Sequence, residues 1–391
     1  MKFAHFSDVH IGGWREEQLK VMSIEAFRRA VEICIKENVA FVLIAGDLFN
    51  TALPPIDQIR DVAAGLAKLK ENNIEVYLIP GSHDYSPSGK TMIEVLEKAG
   101  LCHNVFKLNG NKLEFTIDKT GVKLTGILGL ACGLDKRIYE KLDKSNLENE
   151  KGFKIFLFHA TLEEFKPASL EMAPGEPTVS LPKNFNYYAG GHPHYVFAKH
   201  KEGYGLITYP GALFPNNFKE LEEFKHGGFY IVDDKLNYKH VPVKVRDVET
   251  FFFDAENKNP KELEEEIKEK LAKKNLKDKI VTIRVEGVLK SGKPGDVNFN
   301  EIISNLKDSY FVLRNAAKLE SREIEQIKVE AGTVEEVENR LINEVKTEIN
   351  IVNLMNVLNK EKDEGERNVE FENRIMKDFV KVLNLEEVWK C

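Results

Sequence analysis

Cysteine is scarce in this chain: Cys34, Cys102, Cys132 and Cys391 are the only 4 in 391 residues. None stands in a CxxC spacing, and the chain is far too long for a disulfide scaffold, so all read as reduced thiols, with Cys34 packed in a helix. Long apolar runs are also missing. Nothing approaches the ~18 consecutive apolar residues of a membrane span, and the opening MKFAHFSDVH lacks the apolar region of a signal peptide. A cytoplasmic protein is therefore expected. Glutamine is nearly absent (Gln18, Gln58 and Gln326) among many Lys and Glu, a faint thermophile-like lean. Positive charge is short as well, with a formal net charge of -7, which argues against nucleic acid until the charge is located. The stretch from Lys318 to Cys391 holds 12 Lys and Arg against 18 Asp and Glu, so most of the excess sits there and the remainder is near neutral. An acidic tail leaves room for a basic groove elsewhere.

What is present is apolar residue in quantity, 42% of the chain, enough for cores in two or three domains at roughly 100–200 residues each. KFAHFSD, VAFVLIAGD and IEVYLIPG are short apolar runs stopped by Gly or Asp, and they read as buried strands. Between them, Gln18 to Asn38 sets Leu19, Met22, Ala26, Phe27, Ala30, Val31 and Cys34 at helical spacing. Ile56 to Lys70 does likewise behind Pro54 and Pro55. Strand alternating with helix means an α/β fold. The runs KLTGILGL, KIFLFH, YYAGGH and FYIVDD either continue that sheet or build a second one.

Composition shifts after VPVKVRDVETFFFD. A charged helix from Pro260 to Lys274, a strand from Ile280 to Val288, the turn SGKPGD, a short helix and a strand from Tyr310 to Leu313 suggest a small α+β domain. From Thr333 onward the pattern is helical. Val334, Val337, Leu341, Val345, Ile349, Val352 and Met355 make one stripe, and after KEKDEGER a second helix carries Phe371, Ile375, Phe379 and Leu383. Such helices fold back on their own domain or dock on a partner.

The apolar strands end in polar groups: DVH at Asp8 to His10, GDLFN at Gly46 to Asn50, GSHD at Gly81 to Asp84, FHA around His159, and GGHPH at Gly190 to His194. In open α/β sheets, ligands gather outside the carboxyl ends of strands, so loops far apart in sequence can converge there. Asp8, His10, Asp47, His159, His192 and His194 offer carboxylate oxygens and imidazole nitrogens, which suit Mn, Fe, Zn or Ni better than Mg or Ca. In D-V-H and H-P-H, residues two apart on an extended segment point the same way, and Gly190 and Gly191 allow a sharp turn. Six such ligands exceed what one ion with open positions needs; two ions bridged by a carboxylate fit better.

In their order, these five motifs resemble the calcineurin-like metallophosphoesterase superfamily. KFAHFSDVHIG, LIAGDLF, IPGSHD, AGGHPH and YPGALF, with the small domain and helical tail behind them, resemble the SbcD/Mre family of nuclease subunits of the DNA double-strand-break repair complex, of archaeal type. The resemblance implies a four-layer αββα sandwich with an α+β capping domain and a C-terminal helix-loop-helix. It sets a nuclease domain over 1–240, a capping, DNA-binding domain over 247–315, a linker over 316–332, and over 333–391 a helical segment that grips an SMC-like ATPase, SbcC or its Rad counterpart. It implies two Mn2+ ions. Asp8, His10, Asp47 and His194 match the ligands of one, and Asp47, His159 and His192 those of the other, with Asp47 bridging.

Two positions depart from the family. Where its motif reads Gly-Asn-His-Asp, Ser82 replaces the asparagine that completes the second ion; a hydroxyl is shorter and a weaker neutral donor, so weaker binding there is expected. Asn50 stands where nuclease relatives carry a histidine. The family's chemistry is phosphodiester hydrolysis, with single-stranded DNA cut internally and duplex ends degraded 3′ to 5′. By resemblance, His83 contacts the scissile phosphate or protonates the leaving sugar oxygen, oriented by Asp84. Arg15, Tyr85, Ser86 and Lys90 are the expected contacts to DNA phosphates, with Ser88, Lys183 and Lys219 as further candidates. A homodimer through the helix bearing Met92, Ile93, Val95 and Leu96 completes the expectation. A small-molecule phosphodiesterase and a DNA-end-tethering scaffold with impaired catalysis are the alternatives.

Overall fold

The computed structural model describes residues 1–86, 91–130, 134–172, 174–322, 351–360, 362 and 368–383. Ser88, Lys90, Cys132, Cys391 and the stripe from Val334 to Ile349 lie outside the described residues. The chain divides into two compact units. One comprises Met1–Asp254, Glu264–Glu286 and Asn298–Ala317; the other comprises Ala255–Leu263, Gly287–Val297 and Lys318–Cys391.

The first unit opens with β1 (Lys2–Phe6), α1 (Glu17–Lys36), β2 (Phe41–Ala45), α2 (Ile56–Glu71), β3 (Glu75–Ile79), α3 (Met92–Lys98) and β4 (His103–Asn104). The small strands β5 (Leu108–Asn109) and β6 (Lys112–Leu113) pair with each other, followed by β7 (Thr116–Ile117) and β8 (Lys123–Ile127). Helices α4 (Lys136–Lys141) and α5 (Ser145–Asn149) precede β9 (Lys154–His159) and β10 (Tyr187–Gly191). Then come β11 (Phe197–Lys201), β12 (Gly205–Tyr209), α6 (Phe218–Phe224), β13 (Gly227–Asp233) and β14 (Tyr238–Val243). Two six-stranded sheets result, ordered β14-β13-β1-β2-β3-β4 and β11-β12-β10-β9-β8-β7. Of the late strands, YYAGGH therefore builds the second sheet, while FYIVDD returns to the first, antiparallel to β1.

Alternation along the strands explains the layering. In β2, Val42 and Ile44 pack with Phe27, Val31 and Leu66 of α1 and α2, whereas Phe41, Leu43 and Ala45 face Ile155, Leu157 and Tyr187 of the second sheet. Phe156 and Phe158 of β9 point the opposite way, onto Tyr139 of α4 and Leu147 of α5. This is the expected four-layer αββα sandwich. The buried face of α1 is Leu19, Met22, Ser23, Ala26, Phe27, Ala30, Val31 and Cys34, nearly the set its spacing predicts. Each fully buried Phe or Leu side chain contributes about 1.5–3 kcal/mol. A polar exception sits between the sheets: His5 Nδ1 lies 2.9 Å from Tyr187 Oη and 3.1 Å from Thr208 Oγ1. Burial holds its imidazole down at about 3, so it is neutral.

Beyond these layers, β15 (Val248–Asp254), α7 (Pro260–Ala272), β16 (Ile280–Leu289), α8 (Phe299–Ser304) and β17 (Phe311–Ser321) follow, the strands in the order β15-β16-β17. Strand β15 pairs parallel with β16, from Val248 opposite Ile280 to Asp254 opposite Glu286. The last strand outruns its apolar stretch and runs on to Ser321 as the neighbour of the ten-residue β16. In the second unit, Lys290 pairs with Glu262 at 2.8 Å, and Ser321 Oγ donates to Gly292 O at 2.7 Å. There α9 (Ile351–Leu358) and α10 (Asn368–Val382) are joined by Lys360 and Asp378 at 2.7 Å, with Val357 and Val380 buried. Among the described residues no helix is long and apolar enough to cross a membrane.

Candidate metal centre

The carboxyl ends of β1, β2, β3, β9 and β10 carry the five polar motifs. Strands β1, β2 and β3 run parallel, as do β9 and β10, so all five loops leave at one end of the sandwich. Backbone bonds zip the first two loops together: Asp8 N to Gly46 O at 3.1 Å, His10 N to Asp47 O at 2.9 Å, and Ile11 N to Leu48 O at 3.1 Å.

Three groups of side chains bring ligand atoms within 4.8 Å of one another: Asp8, His10 and His194; Asp8, Asp47 and His159; and His10, Asp47 and His83. Asp47 is common to two of them. Its Oδ1 accepts from His83 N at 2.8 Å, while Oδ2 lies 3.2 Å from His159 Nε2 and 3.6 Å from His10 Nε2. Each imidazole is held from behind. His10 Nδ1 meets Asn50 Oδ1 at 3.2 Å, His159 Nδ1 donates to Ala45 O at 2.8 Å, and His194 Nδ1 meets Glu220 Oε1 at 2.8 Å. A proton on Nδ1 leaves a lone pair on Nε2, and those lone pairs converge. The Nε2 atoms of His10 and His194 face each other at 3.2 Å, and the buried Nε2 of His159 meets only Asp47 Oδ2. Two buried ring nitrogens that face each other need a proton or a cation between them. The donor set therefore fits divalent transition metals.

Charge follows the same geometry. Burial lowers His10 to about 3 and His192 to about 4. Burial works the same way on His194 and His159, but the Glu220 hydrogen bond and Asp8 lift the former to about 9, and Asp47 lifts the latter to about 10. Burial would raise the Asp47 carboxyl, yet His159 and His10 hold it below the usual carboxylate range.

The backbone is strained where the ligands sit. Asp8, His10, Asp47 and His192 all have positive φ, at 50°, 45°, 54° and 92°, a conformation that non-glycine residues adopt where the surrounding structure enforces it. Two sequence expectations are corrected here. Asp8 and His10 converge through left-handed kinks and not through the alternation of an extended segment. Gly190 and Gly191 stay in β10, and the turn is made at His192. Gly191 is needed for contact: a Cβ there would sit 2.0 Å from Ala45 O.

His192 falls outside the three groups, its ring 5.2 Å from that of His159 and its backbone N donating to both Asp8 oxygens at 3.0 and 3.1 Å. Ser82 is half-buried and lines a cleft with His83, His159 and His192. His83 is exposed, with Nδ1 on Asn50 O at 3.0 Å. Asp84 does not orient it. The Asp84 carboxylate instead accepts from the backbone N–H groups of Leu48, Phe49 and Gly81 at 3.0, 2.9 and 3.1 Å, clamping two loops together. Glu220 escaped the sequence reading because Asn217 and Glu220 look like an ordinary helix start, which they also form. Asn50 proves to hold two imidazoles, one by side chain and one by backbone.

Arg15 is exposed, Tyr85 and Ser86 are half-buried after the GSHD turn, and Lys183 and Lys219 are exposed, Lys183 bonded through its backbone N to Glu148 at 2.8 Å. On α3, Ile93 and Leu96 belong to the core, leaving Val95 exposed with Leu53 and Ile56.

The sequence model for calcineurin-like phosphoesterases matches residues 1–196, half of the chain. The chain belongs to the calcineurin-like phosphoesterase family. Within it, the DNA double-strand break repair protein Mre11 of Methanococcus maripaludis is 28% identical over 366 residues, covering 90% of this chain and 93% of that one. Mre11 of Archaeoglobus fulgidus is 27% identical, covering 88% and 80%. Mre11 of Methanocaldococcus jannaschii reaches 31% identity over 60% of this chain and 62% of its own. The resemblance to the SbcD/Mre nucleases is thus borne out, and a calcineurin-like phosphoesterase with this donor set is a divalent-metal-dependent phosphoesterase.

Proposed function

We propose that the chain is a two-metal DNA nuclease, cutting single strands internally and duplex ends 3′ to 5′, and that it processes DNA ends in double-strand-break repair as the cytoplasmic partner of an SMC-like ATPase. The observation that carries this is the convergence of buried imidazoles on two carboxylates in a chain to which a repair protein aligns over 90% of its length.

In this reading Asp8, His10, Asp47 and His194 hold one manganese ion, and Asp47, His159 and His192 hold the other, with Ser82 reaching it through water. When bound, the two cations acidify water and neutralise the charge of the phosphodiester. The protein's own part is positional. Asn50, Ala45 and Glu220 fix the tautomers that aim Nε2 inward, and Asp84 locks the loop carrying Ser82 and His83 to the one after β2. His83, with Nδ1 engaged, presents Nε2 to the phosphate or, as imidazolium, gives its proton to the leaving sugar oxygen. Arg15, Tyr85, Ser86 and Lys90 meet backbone phosphates. Exposed Leu53, Ile56 and Val95, at 71%, 84% and 55%, supply the apolar contact of a homodimer. The domain over 247–315 caps the DNA, 316–332 links, and the helices within 333–391 bind the ATPase.

The test is manganese-dependent cleavage of circular single-stranded DNA and of 3′-labelled duplex, beside hydrolysis of bis(4-nitrophenyl) phosphate. Cleavage of both DNAs supports the reading; hydrolysis of the small ester alone makes the protein a small-molecule phosphodiesterase. In His83→Leu, DNA cleavage is lost while metal and DNA binding persist; normal turnover overturns the assignment of His83. Ser82 favours a second reading, an end-tethering scaffold, which requires DNA-end binding without cleavage.

A further inference from the structure

Glu220, which braces His194, belongs to the seven-residue helix α6, and a helix of two turns does not hold its place unaided. Its local anchors are few. Leu221 is fully buried, Asn217 caps the first turn by accepting from Glu220 N at 3.0 Å, and the chain turns off at Lys225 with a φ of 62°. A further fastening comes from far along the sequence. Arg284 of β16 donates through Nε to both carboxylate oxygens of Glu222, at 3.0 and 2.9 Å, and through Nη2 to Oε2 at 2.5 Å. Its guanidinium also lies over the Phe218 ring, 5.1 Å from the centroid, and reaches Glu286 at 3.2 Å. With side chains only 19% and 15% exposed, Arg284 and Glu222 form a forked pair shielded from water, unlike an isolated surface ion pair.

Two residues apart on a helix, Glu220 and Glu222 point about 200° away from each other. The helix is thus held between the metal centre and β16, with a carboxylate gripped on each side. On the inner side, Glu220 meets His194 Nδ1 and accepts from Asn216 N, both at 2.8 Å, so it has little slack to follow a displaced helix without lengthening the bond that aims the imidazole. We infer that Arg284 is a positioning residue for the metal centre: acting through Glu222, α6 and Glu220, it sets the His194 imidazole, so that tight binding of the ion proposed at Asp8, His10, Asp47 and His194 depends on a strand that supplies no ligand. The inference rests on that proposed ion and adds its control from β16.

The test is calorimetric titration of the metal-free protein with manganese, for the wild type, Arg284→Ala, Glu222→Gln, Glu220→Gln and the double variant Arg284→Ala/Glu220→Gln. Arg284→Ala and Glu222→Gln should each weaken the tighter, His194-bound ion about three- to tenfold, less than a change in the residue that touches the imidazole, and leave the weaker ion unchanged. Glu222→Gln keeps the shape of the side chain, so its result decides where Arg284→Ala fails to fold. In the Glu220→Gln background the loss of Arg284 should weaken manganese no further, because the route through Glu220 is already cut. Unchanged affinity in the single variants overturns the inference. So does equal weakening of both ions, the mark of a general loosening, and so do additive losses in the double variant, which mean that Arg284 does not act through Glu220. A wild type that binds no manganese overturns the two-ion reading and this inference with it, whereas the other contrary outcomes overturn the inference alone.

Discussion

Where Asp8, His10 and His194 meet, each ring is braced by an oxygen on its far nitrogen, Asn50 for His10 and Glu220 for His194. Across Asp47, His159 is braced by Ala45 O, but the His192 ring has no hydrogen bond among the described residues, and Ser82 offers only a short hydroxyl. An oriented ligand has less freedom to lose on binding, and a carboxylate partner raises its basicity. The residues assigned to the two proposed ions are therefore braced unequally, and the difference lies as much in what stands behind them as in the side chains themselves.

Changes to Asp47, Glu220 and Asn50 probe that inequality in order of size. Asp47→Ala removes the carboxylate that the proposed function shares between the two ions. On the proposed two-ion site it should abolish cleavage, by about a thousandfold or more, with both ions lost; a variant that keeps one tight ion would show that the two positions are independent. Glu220→Gln keeps the shape but removes the charge behind His194, and should weaken the well-braced ion about 10–100-fold, read by calorimetry, with the second ion little changed. Equal weakening of both would erase the distinction. Asn50→Ala should act less, at a few-fold on the same ion, because only a neutral amide leaves His10 while the backbone carbonyl that holds His83 remains. A loss larger than that of Glu220→Gln would reverse the ranking of the two braces.

How much of this could be read in advance depends on periodicity. The continuous apolar runs in Phe41–Ala45 and Lys154–His159 and the spacing from Leu19 to Cys34 predicted buried strands and a one-faced helix, and the strands do bury both faces. The candidate ligands were legible because each follows such a strand. How they converge was not. Positive φ at Asp8, His10, Asp47 and His192 is imposed by packing, which a local reading of D-V-H as extended cannot supply. Asp84 was read with its neighbour His83, but a carboxylate among three backbone N–H groups is a long-range arrangement. Glu220 sits in a helix start that accounts for itself, so nothing in its surroundings marks it as the brace of a residue 26 positions earlier.

The most direct test of the central claim, two ions held unequally because of Ser82, is manganese stoichiometry and affinity measured on this protein beside Ser82→Asn, with DNA cleavage assayed in parallel. The account predicts one tight and one weaker ion in the serine form, and at least about tenfold tighter second-ion binding with faster cleavage after Ser82→Asn. Two equally tight ions in the serine form, unchanged by the asparagine, would contradict it.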